Sequence, residues 1–78
     1  MIEPEIVGRV LAELRASKGL TQDVLSGLAG LDRTRYSKLE RGLRSPTLDT
    51  LFKIGQALEI PPHMIVKAVE EACTTAKK

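Results

Sequence analysis

The 78-residue sequence contains one cysteine, one histidine, two aromatic residues and no tryptophan. A single cysteine cannot form an internal disulfide, and one histidine beside it cannot supply the three or four protein ligands of a usual zinc site. No apolar run approaches the roughly 20 residues of a membrane span, and the N-terminal sequence is acidic, unlike a signal peptide. We therefore expect a cytoplasmic protein without a metal site or a membrane segment.

Residues that could carry catalysis are equally few. His63 has no carboxylate or cysteine at the spacing of a catalytic triad, and no general base supports Ser26 or Ser37 as a nucleophile. Cys73 lies on the apolar edge of its predicted helix, where a reduced cysteine acts as a small hydrophobe. The sequence predicts no enzyme, no cofactor and no small-molecule ligand.

Strand patterns are also missing, because β-branched residues do not alternate over any long run. Apolar periodicity and capping residues instead predict five helices: about 4–17, a short helix after Thr21, a third from Asp32 to Gly42, 48–58 and 62–73. The length suits one domain. We predict an all-α domain over residues 1–73 and a frayed tail over residues 74–78.

Two of these helices carry broad apolar arcs that we expect to face the core. The arc of the second helix consists of Val24, Leu25, Leu28 and Ala29. The arc of the fourth helix consists of Leu48, Leu51, Phe52, Ile54, Gly55 and Leu58. Gly55 weakens its helix by about 1 kcal/mol unless it permits close packing.

Positive charge is concentrated between residues 33 and 44, where five basic residues stand against Glu40 alone. One arc of the third helix, about 140° wide, holds hydrogen-bond donors and no carboxylate: Arg33, Thr34, Ser37, Lys38 and Arg41. Such a face suits phosphate oxygens and base edges, and a solvated charged helix is the alternative. Glu40 falls on the inward side, where a carboxylate needs a cationic partner.

These features occur together in an order that resembles a known family. Thr21-Gln22 opens the second helix, a small-residue turn follows at 29–32, and Tyr36-Ser37-Lys38-Leu39-Glu40-Arg41-Gly42 completes the pattern. From Gly19 to Leu58 the sequence resembles the lambda-repressor-like, Cro-type regulators, also called the xenobiotic-response-element family. The resemblance implies a compact five-helix fold with a helix-turn-helix at helices two and three.

The resemblance also implies roles for individual residues. It implies phosphate contacts by Thr21 and Gln22, base contacts in the major groove by Arg33, Thr34 and Lys38, and DNA-backbone contacts by Arg35, Arg41 and Arg44. Plain helix capping is the alternative for the first two residues. The resemblance further implies an ion pair between Arg15 and Glu40. Tyr36 departs from the family pattern, which has an aliphatic residue there, and its hydroxyl needs a partner.

The fifth helix has an apolar arc of about 200°, wider than packing on one side of a small bundle requires. We predict a two-fold homodimer through this helix, with an interface that includes Ile65, Val66, Val69 and Cys73. Deep insertion of the helix into its own core is the alternative. A dimer would place two recognition helices about 34 Å apart, as a palindromic operator requires.

The predicted function is therefore a repressor-type transcription regulator that binds a double-stranded DNA operator as a homodimer. An antitoxin-like module that binds another protein and regulates its own gene is a second hypothesis. A nucleoid or RNA-binding module is a third, weakened by the lack of exposed aromatic residues for base stacking.

Overall fold

The computed structural model describes residues 2–76 as five helices: α1 (Pro4–Ser17), α2 (Gln22–Ala29), α3 (Arg33–Glu40), α4 (Leu48–Leu58) and α5 (Pro62–Ala76). These residues contain no strand, so the predicted all-α, five-helix architecture is confirmed. α5 continues three residues beyond its predicted end, and the predicted tail therefore begins inside a helix. The last two residues of that tail, 77 and 78, lie outside the described residues. Within residues 2–76 no helix has the length and apolarity to cross a membrane.

Side-chain caps begin three of the helices. The oxygens of Thr21, Asp32 and Thr47 each accept a hydrogen bond, at 3.1–3.2 Å, from the backbone amide three residues ahead. Gly30 ends α2 with a φ of +69°, a left-handed conformation that glycine adopts without steric cost. Since Asp32 caps α3 only two residues later, the turn of the helix-turn-helix is short and its geometry is fixed.

All five helices contribute to one hydrophobic core. α1 packs against α3 and α5, while α2 packs against α3 and α4. The buried residues of this core are Val7, Val10, Leu11, Leu25, Tyr36, Leu39, Ile54, Leu58, Ile65 and Val69. Because α3 turns Tyr36 and Leu39 into the core, its opposite side remains at the surface.

The two apolar arcs predicted to face the core are only partly buried. Four of their residues are exposed instead, and the prediction is wrong for them: Val24, Leu28, Leu48 and Phe52. Apolar periodicity gives the width of an arc, but the positions of the neighbouring helices decide how much of it is covered. One of the two aromatic residues, Phe52, is therefore exposed.

The predicted interface on α5 also needs correction. Ile65 and Val69 are buried in the core of their own chain, so they offer almost no surface to a partner. Cys73 is half-buried and packs against the same core. Val66 alone among the four predicted residues is exposed, at 48%. Most of the apolar arc of α5 is therefore inserted into the core of its own chain, which was the alternative to a dimer interface.

Gly55 permits the close approach of α4 to the start of α5. A Cβ atom at this position would lie 2.7 Å from the carbonyl oxygen of Ile60 and 3.2 Å from Cγ of Pro62. Both distances are shorter than ordinary van der Waals contact. The helix propensity lost at Gly55 is therefore offset by the packing of the α4–α5 corner.

Candidate nucleic-acid interface

α3 presents its polar side chains to solvent. Five of the eight residues predicted to contact DNA lie on its accessible side or at its C-cap: Arg33, Thr34, Arg35 and Arg41 are exposed, and Lys38 is half-buried. Tyr36 and Leu39 hold the other side of the helix in the core. The fold therefore leaves the donors of α3 accessible to an extended anionic surface such as a DNA groove.

Arg33 has an acidic neighbour on a different helix. Its Nε lies 3.0 Å from Oδ1 of Asp23 in α2, and both side chains are exposed. The spacing within α3 gave no sign of this pair, because the carboxylate comes from the preceding helix. An exposed ion pair contributes little to stability, so Arg33 can exchange Asp23 for another acceptor at low cost.

A groove of about 360 Å³ separates α3 from the start of α4. Its lining includes three cations, Arg35, Arg44 and Lys53, and the hydroxyl-bearing residues Thr47 and Thr50. Asp49 also borders the groove and lies 3.4 Å from the ammonium of Lys53. The positive dipole end of α4 adds to its attraction for an anion. The groove is suited to a phosphate oxygen.

Sequence reasoning found Arg35 and Arg44 but missed Lys53, Thr47 and Thr50. Thr47 caps α4 and the other two residues lie within it, and only folding brings them beside α3. Thr47 was the one indication of this part of the groove in the sequence. It is a helix N-cap that follows a basic segment, and anions bind at helix N-termini.

A buried carboxylate lies behind the interface. The side chain of Glu40 is only 6% exposed, and it forms a bidentate pair with Arg15: Nε donates to Oε2 at 2.7 Å and Nη2 donates to Oε1 at 3.1 Å. The remaining terminal nitrogen of Arg15, Nη1, donates to the carbonyl of Leu20 at 2.8 Å. The structure thus contains the ion pair that the family resemblance implied, and it links α1, the α1–α2 turn and α3.

Two further donors reach the same carboxylate. The hydroxyl of Tyr36 donates a short hydrogen bond to Oε2 of Glu40, and Nε2 of Gln22 donates to Oε1 at 2.8 Å. The first contact supplies the partner that the buried tyrosine required. Within residues 2–76 no buried side-chain nitrogen or oxygen lacks a hydrogen-bond partner. Gln22, the predicted phosphate contact, therefore also has an inward role.

The protonation states of this cluster follow from its contacts. Burial alone would raise the pKa of the Glu40 carboxyl, but hydrogen bonds from Arg15, Tyr36 and Gln22 outweigh it and hold the pKa below its ordinary value. Burial, followed by the contact with Glu40, raises the pKa of the Tyr36 hydroxyl. The hydrogen bond to Glu40 raises the pKa of Arg15. At neutral pH the carboxylate is charged and all its donors keep their protons.

The remaining candidates for chemistry lie apart from this surface. His63 is exposed at the start of α5, and Cys73 is a free, half-buried thiol. Across the described part of the chain, no cluster of three histidine, cysteine, aspartate or glutamate residues is placed to hold a metal ion.

Known proteins share this sequence pattern. The family model described as helix-turn-helix matches residues 11–65. The chain is 39% identical over 67 residues to y4dJ, an uncharacterized HTH-type transcriptional regulator of Sinorhizobium fredii. The match covers 86% of this chain and 87% of y4dJ.

Two solved structures share the fold. C.AhdI from Aeromonas hydrophila, a restriction-modification controller protein, has a TM-score of 0.78 at 38% identity, over 83% of this chain and 98% of that chain. C.Esp1396I bound to a 19 base pair DNA duplex has a TM-score of 0.82 at 29% identity, over 94% of this chain and 97% of that chain. Together with the family match, these findings show that the chain belongs to the lambda-repressor-like, Cro-type helix-turn-helix family of DNA-binding transcriptional regulators.

Proposed function

We propose that this protein binds a palindromic DNA operator in a sequence-specific manner as a homodimer and thereby regulates transcription. The observation that carries the proposal is the exposed donor face of α3, which stands beside a cationic groove. A groove that collects phosphates next to a helix that can enter the major groove is the arrangement that sequence-specific binding requires. The DNA-bound state of C.Esp1396I supports this proposal.

The contacts divide into two kinds. Arg33 and Lys38 suit guanine acceptors, and the methyl group of Thr34 suits thymine. Phosphate contacts come from Thr21, Gln22, Arg35, Arg41 and Arg44, to which we add Lys53 and the first turn of α4. The base contacts give specificity, and the phosphate contacts position the protein and make its affinity depend on salt.

Replacing Arg33 by alanine is expected to weaken operator binding by about 1–3 kcal/mol and to relax the base preference at one position of each half-site. Sites selected from random DNA supply the operator, and fluorescence anisotropy compares its affinity with that of a random duplex. Lys67→Ala, which removes an exposed cation of α5, is the control for the loss of one charge. An equal loss of affinity on both duplexes would assign Arg33 to the phosphate contacts.

The proposed dimer requires a surface that shares only Val66 with the interface predicted from the sequence. Leu48 and Phe52 are exposed one turn apart on α4, and Phe52 lines an open groove with Pro62 beside Gly55. Leu51 of α4 and Val66 of α5 line a second, smaller pocket. Leu48, Phe52, Pro62 and Val66 therefore form an α4/α5 patch. Exposed apolar groups of this kind mark interaction sites, and a two-fold axis would bury the same patch from both copies.

Replacing Phe52 by glutamate is expected to convert the dimer into a folded monomer, because two carboxylates would otherwise be buried at the interface. The fold should survive, since Phe52 is 56% exposed in one chain. Sedimentation measures the oligomeric state. If Arg35, Arg41, Arg44 and Lys53 each neutralise one phosphate per chain, the slope of log K against log salt should change from roughly −7 to roughly −4.

Leu28→Glu is the matched control for this change. Leu28 is 63% exposed on α2, outside the α4/α5 patch, and its substitution should leave the dimer intact. A Phe52→Glu protein that remains dimeric would place the interface elsewhere. If the wild type purifies in complex with a different protein instead of a second copy of itself, the antitoxin-like hypothesis is favoured.

A further inference from the structure

Gln22 occupies a position between the proposed DNA surface and the interior. It is the first residue of α2, directly after the cap Thr21, and it is half-buried. Its Nε2 donates to Oε1 of Glu40 at 2.8 Å, while Oε2 of the same carboxylate accepts from the Tyr36 hydroxyl and from Nε of Arg15. One buried carboxylate therefore joins a surface amide to a fully buried hydroxyl.

An acceptor-only partner determines how an amide side chain is oriented. A carboxylate has no proton to donate, so the nitrogen end of Gln22 must face Glu40 and the oxygen end cannot. The amide nitrogen carries two hydrogens, and within residues 2–76 this contact uses one of them. The second N–H is left as a donor to an acceptor outside the protein, and the side chain that carries it is already ordered.

The Tyr36 hydroxyl determines where that carboxylate lies. Tyr36 is one helical turn before Glu40 on α3, and its ring is held by the core. Arg15 belongs to α1, so the ion pair alone would let the carboxylate move together with that helix. The Tyr36 hydroxyl belongs to α3, and its hydrogen bond fixes Oε2 relative to α3. Loss of the hydroxyl would let Oε1 move away from the amide of Gln22.

We infer that Tyr36 and Glu40 are positioning residues for DNA binding, which hold the amide of Gln22 in the orientation that contacts a DNA phosphate. This inference rests on the proposed function. A side chain that is ordered before binding loses less conformational entropy on the DNA, which corresponds to about a threefold to tenfold gain in affinity. Tyr36→Phe should therefore weaken binding severalfold, although the residue is buried and cannot touch DNA.

A double-mutant cycle on operator DNA tests this coupling. Tyr36→Phe keeps the ring in the core, and Oε2 of Glu40 keeps Arg15, so the variant should fold. Its loss of affinity should disappear in a Gln22→Ala background and persist in an Arg44→Ala background. Equal losses in all backgrounds, or no loss in the wild type, would overturn the inference. If Gln22→Ala binds as tightly as the wild type, the phosphate contact of Gln22 is refuted and the inference with it.

The free protein gives a readout that does not depend on DNA. Gln22 and the exposed Gln56 are the two side-chain amides of the chain, so each gives one assignable pair of NH₂ signals in a ¹H–¹⁵N spectrum. In the wild type the Gln22 pair should be displaced from free-amide shifts, and Tyr36→Phe should move it toward them while Gln56 stays unchanged. Unmoved Gln22 signals would overturn the inference, and failure of the wild type to bind any duplex would overturn the proposed function instead.

Discussion

The variant Glu40→Ala is expected to lose about 3–5 kcal/mol of unfolding free energy. The substitution removes the acceptor of three side chains at once, and it leaves Nε and Nη2 of Arg15 and the hydroxyl of Tyr36 without acceptors at half-buried and buried positions. A charge or hydroxyl without its partner retains the full cost of leaving water. Urea unfolding followed by circular dichroism measures the change as a shift of the midpoint.

Glu40→Gln separates the charge of Glu40 from its shape. The amide keeps one oxygen as an acceptor but brings two hydrogens toward existing donors, so we expect an intermediate loss. An unchanged midpoint in Glu40→Ala would show that the cluster does not stabilise the fold.

Acid supplies an independent test of the same cluster. The pKa of Glu40 in the folded protein lies below its unfolded value, so its contribution is complete above the unfolded pKa, about 4.3, and is lost as the pH falls through the folded pKa. The wild type should therefore lose more stability than Glu40→Gln as the pH is lowered from about 5. If the unfolding free energies of the two proteins fall in parallel as the pH is lowered, the charged state assigned to Glu40 is wrong.

Gly8→Ala is expected to lose about 3 kcal/mol or more, although it adds a single methyl group. A Cβ atom at Gly8 would overlap the carbonyl oxygen of Glu40 and would lie 2.5 Å from that of Leu39. Both atoms belong to the backbone at the end of α3, so no side-chain rotation can relieve the overlap. α1 must move away from α3, which also strains the pair between Arg15 and Glu40.

Gly27→Ala is the matched control for Gly8→Ala. Gly27 also lies inside a helix, but a Cβ atom there would meet no atom within 4 Å. Its replacement should raise the unfolding free energy by about 0.5–1 kcal/mol, because alanine is the better helix former. If Gly8→Ala unfolds at the wild-type midpoint, α1 and α3 are not in this close contact.

Local features of the fold could be predicted from the sequence because short-range interactions determine them. Thr21, Asp32 and Thr47 cap their helices through amides only three residues away, so the positions of the helix starts are encoded locally. The concentration of positive charge at residues 33–44 is likewise a property of adjacent residues. These two patterns were sufficient to predict an all-α protein with a donor face on its third helix, and the family resemblance supplied the partner of Glu40.

The candidate site became complete only with the tertiary structure. Asp23, Lys53 and Gln22 lie near Arg33, Arg44 and Glu40 in space, but no helical periodicity connects them along the chain. In the same way, spacing assigned Ile65 and Val69 of α5 to an interface, and the packing of α1 and α4 against α5 buried them.

The sequence by itself thus determined where the helices lie, which residues cap them and which helix carries the charge. The tertiary structure decided which apolar residues stay exposed and which side chains meet the buried carboxylate. The physical reason is that capping and periodicity act over three or four residues, whereas burial and ion pairing depend on how helices that are distant in sequence pack together.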